Sequence, residues 1–160
     1  MDAAALLQSH CAVDRAGDSL YLPGWSLDDW RELLRQAQPV ALNSGDVLIR
    51  SGDNERALYF VTSGLLEVTD GASRSESLGR LFRESPGSVI GEISLFDGLP
   101  RTATVWATVP TQLLRLDLEG LRSFATEHPA RGHELLFALG RVLALRLRRG
   151  EQRQKRQAFF

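Results

Sequence analysis

The spacing of apolar residues divides the chain into three textures. In the first, Leu27, Trp30, Leu33 and Leu34 recur on one face of a helical period. Ser26 precedes them as an N-cap, and Asp28 and Asp29 fall in the first turn, where the helix dipole favours acids. A helix over 27–36 follows, with Pro39 marking its end. Upstream, 1–8 reads as a short helix and 11–23, polar and glycine-containing, as a loop. In the second texture, from 40 to 116, β-prone runs at 47–49, 58–61, 65–68, 78–82, 88–90, 102–107 and 112–116 alternate with polar punctuation. Turn signals stand at 43–46, 51–54, 63–64 and 70–71, and 70–77 reads as a polar hairpin tip. Strands at this even spacing suggest an antiparallel roll or barrel. The third texture is helical: a short element over 118–127, a restart at Pro129, and one long helix from 130 to about 157. Leu135, Leu136, Leu139, Val142 and Leu143 form its apolar stripe, which serves as core or as a dimer interface. Gly140 weakens that helix by about 1 kcal/mol relative to alanine.

Composition narrows the class. The 160 residues suit one core, and 43% hydrophobic with 24% charged residues is ordinary for a globular domain. A net charge of -1 makes no general case for nucleic-acid or membrane partners. The one cysteine, Cys11, excludes an internal disulfide and a cysteine zinc cage. No apolar run is long enough to span a membrane, and the first residues lack the basic start of a signal peptide. The resulting expectation is a cytoplasmic protein.

The chemistry concentrates in Gly91–Val105. A glycine and an acid open one apolar turn, and Pro100-Arg101 closes the stretch before a β-like run. Backbone N–H groups at the start of a short helix suit an anion, and Arg101 adds a planar cation. Glu92 is a poor phosphate ligand but a good acceptor for sugar hydroxyls. Together these describe a pocket for a sugar phosphate. No catalytic motif accompanies it: His10, His128 and His133 are scattered, and there is neither a nucleophile elbow nor a Walker-type loop. The chain therefore reads as a non-enzyme.

Gly91-Glu92-Ile93-Ser94-Leu95 followed by Pro100-Arg101-Thr102-Ala103-Thr104-Val105 resembles the phosphate-binding cassette of cyclic-nucleotide-binding domains. The family includes the bacterial catabolite activator protein and the regulatory subunit of protein kinase A. Ser44-Gly45-Asp46-Val47-Leu48, Gly52-Asp53, Leu58-Tyr59-Phe60 and Ser63-Gly64 resemble its upstream glycine-turn strands. The resemblance implies a mainly β fold with flanking helices: a jelly-roll β-barrel (double-stranded β-helix), N-terminal helices and a long C-terminal lid helix. It places Glu92 on the ribose 2′-OH, and Arg101 with the N–H groups around Ile93 and Ser94 on the cyclic phosphate. Gly91 admits the ligand backbone-close, and Thr102 and Ala103 flank the phosphate or the purine. Val68 and Leu81 line the base pocket, and Arg146 or Arg149 folds over the base. The implied ligand is cGMP or cAMP, with Thr102 leaning to cGMP, and neither cofactor nor metal is implied.

On this reading 1–26 is an N-terminal extension, 27–149 the sensor domain and 150–160 a polar helical tail leading to a covalently linked output domain. Arg141, Arg146, Arg148, Arg149, Arg153, Lys155 and Arg156 crowd the last helix as a solvated face, a lid for the base or a nucleic-acid patch. No helix-turn-helix follows, so DNA binding by these residues alone is not expected. The functional expectation is a sensor in bacterial-type second-messenger signalling. Two alternatives stay open: a degenerate jelly-roll interaction module with Glu92 and Arg101 merely paired, and a truncated transcription factor of the same family.

Overall fold

The computed structural model describes residues 2–13, 18–69 and 81–157, with only the backbone of 81, 151 and 153–157. The hairpin tip expected over 70–77 lies outside the described residues. Two helices open the chain, α1 (Ala3–Cys11) and α2 (Leu27–Leu34). Ser26 caps α2 reciprocally: the Asp29 N–H donates to Ser26 Oγ at 3.2 Å, and the Ser26 N–H donates to Asp29 Oδ2 at 2.8 Å. Eight strands follow, interrupted by one short helix: β1 (Gln38–Leu42), β2 (Val47–Ile49), β3 (Ala57–Ser63), β4 (Leu66–Thr69), β5 (Leu81–Glu84), β6 (Val89–Ile90), α3 (Glu92–Asp97), β7 (Thr104–Ala107) and β8 (Thr111–Asp117). α4 (Leu118–Glu127) and the long α5 (Pro129–Gln157) complete the order.

The strands form a sandwich, and the closed jelly-roll barrel implied by the family resemblance is not made. One antiparallel sheet runs β1-β8-β3-β6 and the other β2-β7-β4-β5, and among the described residues no outer strand pairs with the other sheet. The turns that would have to seal the edges are engaged elsewhere. After β1, the Gly45 N–H donates to Ala107 O at 2.7 Å, and after β5 the Gly87 N–H donates to Val61 O at 2.9 Å. β1 escaped the apolar pattern because it carries Pro39 and leaves Gln38 and Ala41 exposed, which an edge strand tolerates.

β3 ties the layers together because both of its faces are buried. Leu58 and Phe60 join Trp30, Leu116, Phe124, Leu135 and Leu139 in a core between sheet and helices. Ala57, Tyr59 and Val61 alternate to the other side and join Ile49, Leu66, Val105 and Leu113 between the sheets. α5 packs through Leu135, Leu139 and Val142, all at 0% exposure, whereas Leu136 of the expected stripe faces outward. Trp25 Nε1 donates to Glu134 Oε2 at 2.9 Å and Arg131 Nε to Asp29 Oδ1 at 2.9 Å, so α5 is stitched to the N-terminal region. No helix among the described residues is long and apolar enough to cross a membrane.

Candidate functional site

A cavity of about 720 Å³ opens between the second sheet, the cassette and the end of α5. Its walls bring together Val68, Gly91, Glu92, Ile93, Ser94, Arg101, Thr102, Ala103, Arg146 and Arg149, ten of the eleven residues expected there. The eleventh, Leu81, pairs with Thr69 through the β4–β5 ladder, and its side chain lies outside the described residues. The volume falls within the roughly 300–1,000 Å³ typical of small-molecule sites.

The chain reaches this geometry through one left-handed residue. Gly91 ends β6 and caps α3 with φ 90°, which turns the backbone from strand into helix. That turn buries the Glu92 and Ser94 side chains while Ile93 faces out at 41% exposure. Thr102 is exposed at the cavity wall and Ala103 half-buried.

Arg101 is 4% exposed and tightly oriented. Its Nη1 donates to Gly91 O at 3.1 Å, and its Nη2 donates to Ala57 O at 3.0 Å and Glu55 Oε2 at 3.2 Å. Among the described residues its Nε is buried with no hydrogen-bond partner. A buried cationic N–H left unpaired is costly, and an acceptor that reached it would offset that cost. Among the described residues, no group of His, Cys, Asp and Glu is placed to hold a metal ion.

Glu55 is the anchor behind Arg101, and nothing local in the sequence marks it. It accepts from Arg115 Nε at 2.8 Å and from the Tyr59 hydroxyl at 2.9 Å as well as from Arg101. Burial works to raise its pKa, but the hydrogen bonds from Arg115, Tyr59 and Arg101 outweigh it and hold the carboxyl below its usual range. Burial and Glu55 together push the Tyr59 hydroxyl up to about 12, so it stays a donor. A depressed carboxylate stabilises the fold above its unfolded pKa, and that contribution is lost as the pH falls through the folded value. Between about pH 5 and about pH 3, the urea midpoint of the wild type is therefore expected to fall more steeply than that of Glu55→Gln. Parallel pH profiles would refute Glu55 as a stabilising anchor.

On the other charged wall, Asp18 and Glu84 were missed by sequence reading. Asp18, in the stretch read as a loop, and Glu84, on β5, converge with Glu92 on Arg146 of α5. Arg146 Nη1 donates to Glu92 Oε1 at 2.6 Å, Nε to Asp18 Oδ2 at 2.8 Å, and Nη2 to Glu84 Oε1 at 3.2 Å and Val89 O at 2.9 Å. Arg149 Nη2 pairs with Asp18 Oδ1 at 2.8 Å. Burial raises the Asp18 pKa, but bonding and charge from Arg146, with the charge of Arg149, outweigh it and lower the net value. For Glu84 burial prevails over Arg146, and its carboxyl is shifted up. Glu92 and Arg101 thus do not satisfy each other: one pairs with Arg146 and the other with Glu55.

A family model described as cyclic nucleotide-binding domain matches residues 39–128. The chain is 32% identical over 120 residues to the CRP-like cAMP-activated global transcriptional regulator of Mycobacterium tuberculosis, covering 73% of this chain and 50% of that one. It is 38% identical over 88 residues to the cAMP-dependent protein kinase regulatory subunit of Yarrowia lipolytica, covering 54% of this chain and 22% of that subunit. It therefore spans at most about half the length of these relatives. Among solved structures it resembles the Thermus thermophilus catabolite activator protein, with TM-score 0.71, 27% identity, and 85% of this chain and 62% of that one covered. A cyclic nucleotide-binding domain from Methylobacillus flagellatus shares the fold at TM-score 0.75 and 24% identity, over 94% of this chain and 81% of that one. Cassette, sandwich and family model agree: the chain belongs to the cyclic nucleotide-binding domain family, whose domain is a regulatory sensor and not a catalyst.

Proposed function

We propose that the cavity binds a cyclic purine nucleotide, cGMP or cAMP, reversibly and that α5 reports its occupancy. Arg101 takes the cyclic phosphate, whose single charge one guanidinium balances without a metal. α3 has six residues, so the N–H groups around Ile93 and Ser94 add to Arg101 and do not replace it. Glu92 accepts from the ribose 2′-OH, with Gly91 giving close backbone approach. Val68 and Leu81 line the base, Thr102 and Ala103 lie between phosphate and base, and Arg146 and Arg149 stand on the α5 side of the cavity. The observation that carries this reading is that buried Arg101, whose Nε has no partner among the described residues, and the buried carboxylate of Glu92 line one cavity.

The lean to cGMP rests on the Thr102 hydroxyl, one hydrogen bond worth about 1 kcal/mol. Two relatives are named for cAMP, so both nucleotides belong to the proposal. The rival reading, an interaction module with Glu92 and Arg101 paired, is disfavoured because each has a different partner. Calorimetry is expected to give micromolar binding, about -8 kcal/mol, for at least one of the two nucleotides. Its 2′-deoxy form should bind about tenfold or more weakly, since a hydrogen bond to a charged group contributes about 1.5–3 kcal/mol. No heat from either nucleotide at millimolar concentration would overturn the proposal.

The output side is proposed in the same frame, with 27–149 as sensor and 150–160 leading into a covalently linked output domain. α5 presents Leu136, Phe137 and Leu147 outward at 39%, 71% and 66% exposure, and a Cβ at Gly140 would meet nothing within 4 Å. This face suits a second copy of the chain, which sedimentation of the same samples would reveal as a dimer.

A further inference from the structure

Arg146 is bonded like a core residue although it sits near the end of the last helix. Its side chain is 23% exposed, and its donors go to three carboxylates and a carbonyl from separate parts of the chain. Asp18 comes from the N-terminal segment, Glu84 from β5, Glu92 from the cassette and Val89 O from β6. The forked guanidinium is suited to this task, since its planar N–H groups point in fixed and different directions. Arg149 reinforces the cluster through the second oxygen of Asp18.

This arrangement places a cation of the chain on the carboxylate that the proposed function assigns to the sugar. With Arg146 in place, Glu92 is 2% exposed. Arg146 Nη1 holds Glu92 Oε1, so a ribose hydroxyl arriving at this buried carboxylate contends with a cation already bonded to it. We infer that Arg146 is an intramolecular competitor of the ligand: it occupies the ribose carboxylate and latches α5 to β5 and the N-terminal segment until a nucleotide displaces it. This inference rests on the ribose assignment of Glu92 under the proposed function. Displacement supplies the coupling that a sensor needs, because the ligand then has different affinities for the latched and released helix. The latch lowers apparent affinity by the fraction of molecules held closed. Asp18 and Glu84 set that fraction as positioning residues, since they hold Arg146 beside Glu92 without touching the ligand in this scheme.

The test uses the full chain and two substitutions. Arg146→Met removes the competitor, and Arg146→Lys keeps its charge but cannot fork over three carboxylates. Both are expected to bind the preferred nucleotide at least fivefold more tightly than the wild type. Amide exchange over 144–149 and 18–22 in the ligand-free variants should rise to the level of ligand-saturated wild type. Weaker or equal binding by both variants, alongside binding by the wild type, overturns the latch and supports an arginine lid stacked on the base. If neither nucleotide binds any of the three proteins, the proposed function fails with the competitive role, and exchange still tests the tie itself. Unchanged exchange over 144–149 in both variants would overturn that too.

Discussion

Arg101→Ala is expected to weaken cyclic nucleotide binding by a hundredfold or more, because losing one partner of a buried charged hydrogen bond costs about 2–5 kcal/mol. The guanidinium has no substitute in the cavity. Of the other arginines described on its wall, Arg146 and Arg149 are committed to Asp18, Glu84 and Glu92, and Arg83 pairs with Glu67 from an exposed position. The substitution also touches the fold. Gly91 O and Ala57 O lose the Arg101 donors, Gly91 O keeping the Leu95 N–H at 3.4 Å, while Glu55 keeps Arg115 and Tyr59. Removing one member of a buried pair costs about 3–5 kcal/mol, and the remaining partners of Glu55 place this case toward the lower end. Arg101→Lys separates the two effects, since it keeps the charge with fewer directed bonds. Calorimetry and urea unfolding on both variants read them out. Near-wild-type affinity in a folded Arg101→Ala protein would remove the phosphate from this site.

The second large effect is expected at Gly91. An alanine there must hold φ near 90°, and its Cβ would collide with the Ala57 carbonyl oxygen and approach Arg101 Nη1 to 2.7 Å. Strain and overpacking each cost about 1–3 kcal/mol, so a loss of about 2–5 kcal/mol is expected. Binding should fall with it, because the displaced atoms are those that orient Arg101. Gly52→Ala is the control: its φ is +92°, and nothing lies within 4 Å of the added carbon. Only the conformational cost should appear there, about 1 kcal/mol in urea. Equal losses at 52 and 91 would mean that close approach at Gly91 contributes nothing.

These two residues were legible in advance, for a local reason. Gly91 and Arg101 lie in one short stretch whose chemistry is complete within itself: a turn, an acid, an apolar helical turn and a cation. The Ser26 cap was legible in the same way, as were the bounds of α4, because caps and helical periods involve residues a few positions apart. β1 was lost because its tolerance of Pro39 comes from being an edge, which is a property of the sheet. The barrel was over-read from strand spacing, which carries no information about whether outer strands meet. Glu55 and Glu84 carry no signal of their own. One looks like a turn residue, the other like an exposed strand position.

What local pattern settled about this protein is therefore the succession of helical, strand-rich and helical stretches and the cassette within it. Packing alone settled where the charges end. Asp18 and Arg146 are separated by 128 positions, Glu55 and Arg101 by 46, and Glu92 and Arg146 by 54. A guanidinium near several carboxylates chooses by distance and desolvation, and both are set only after sheets and helices have packed. That is why Arg146, a candidate lid by the family resemblance, is found on Glu92, the carboxylate proposed for the sugar.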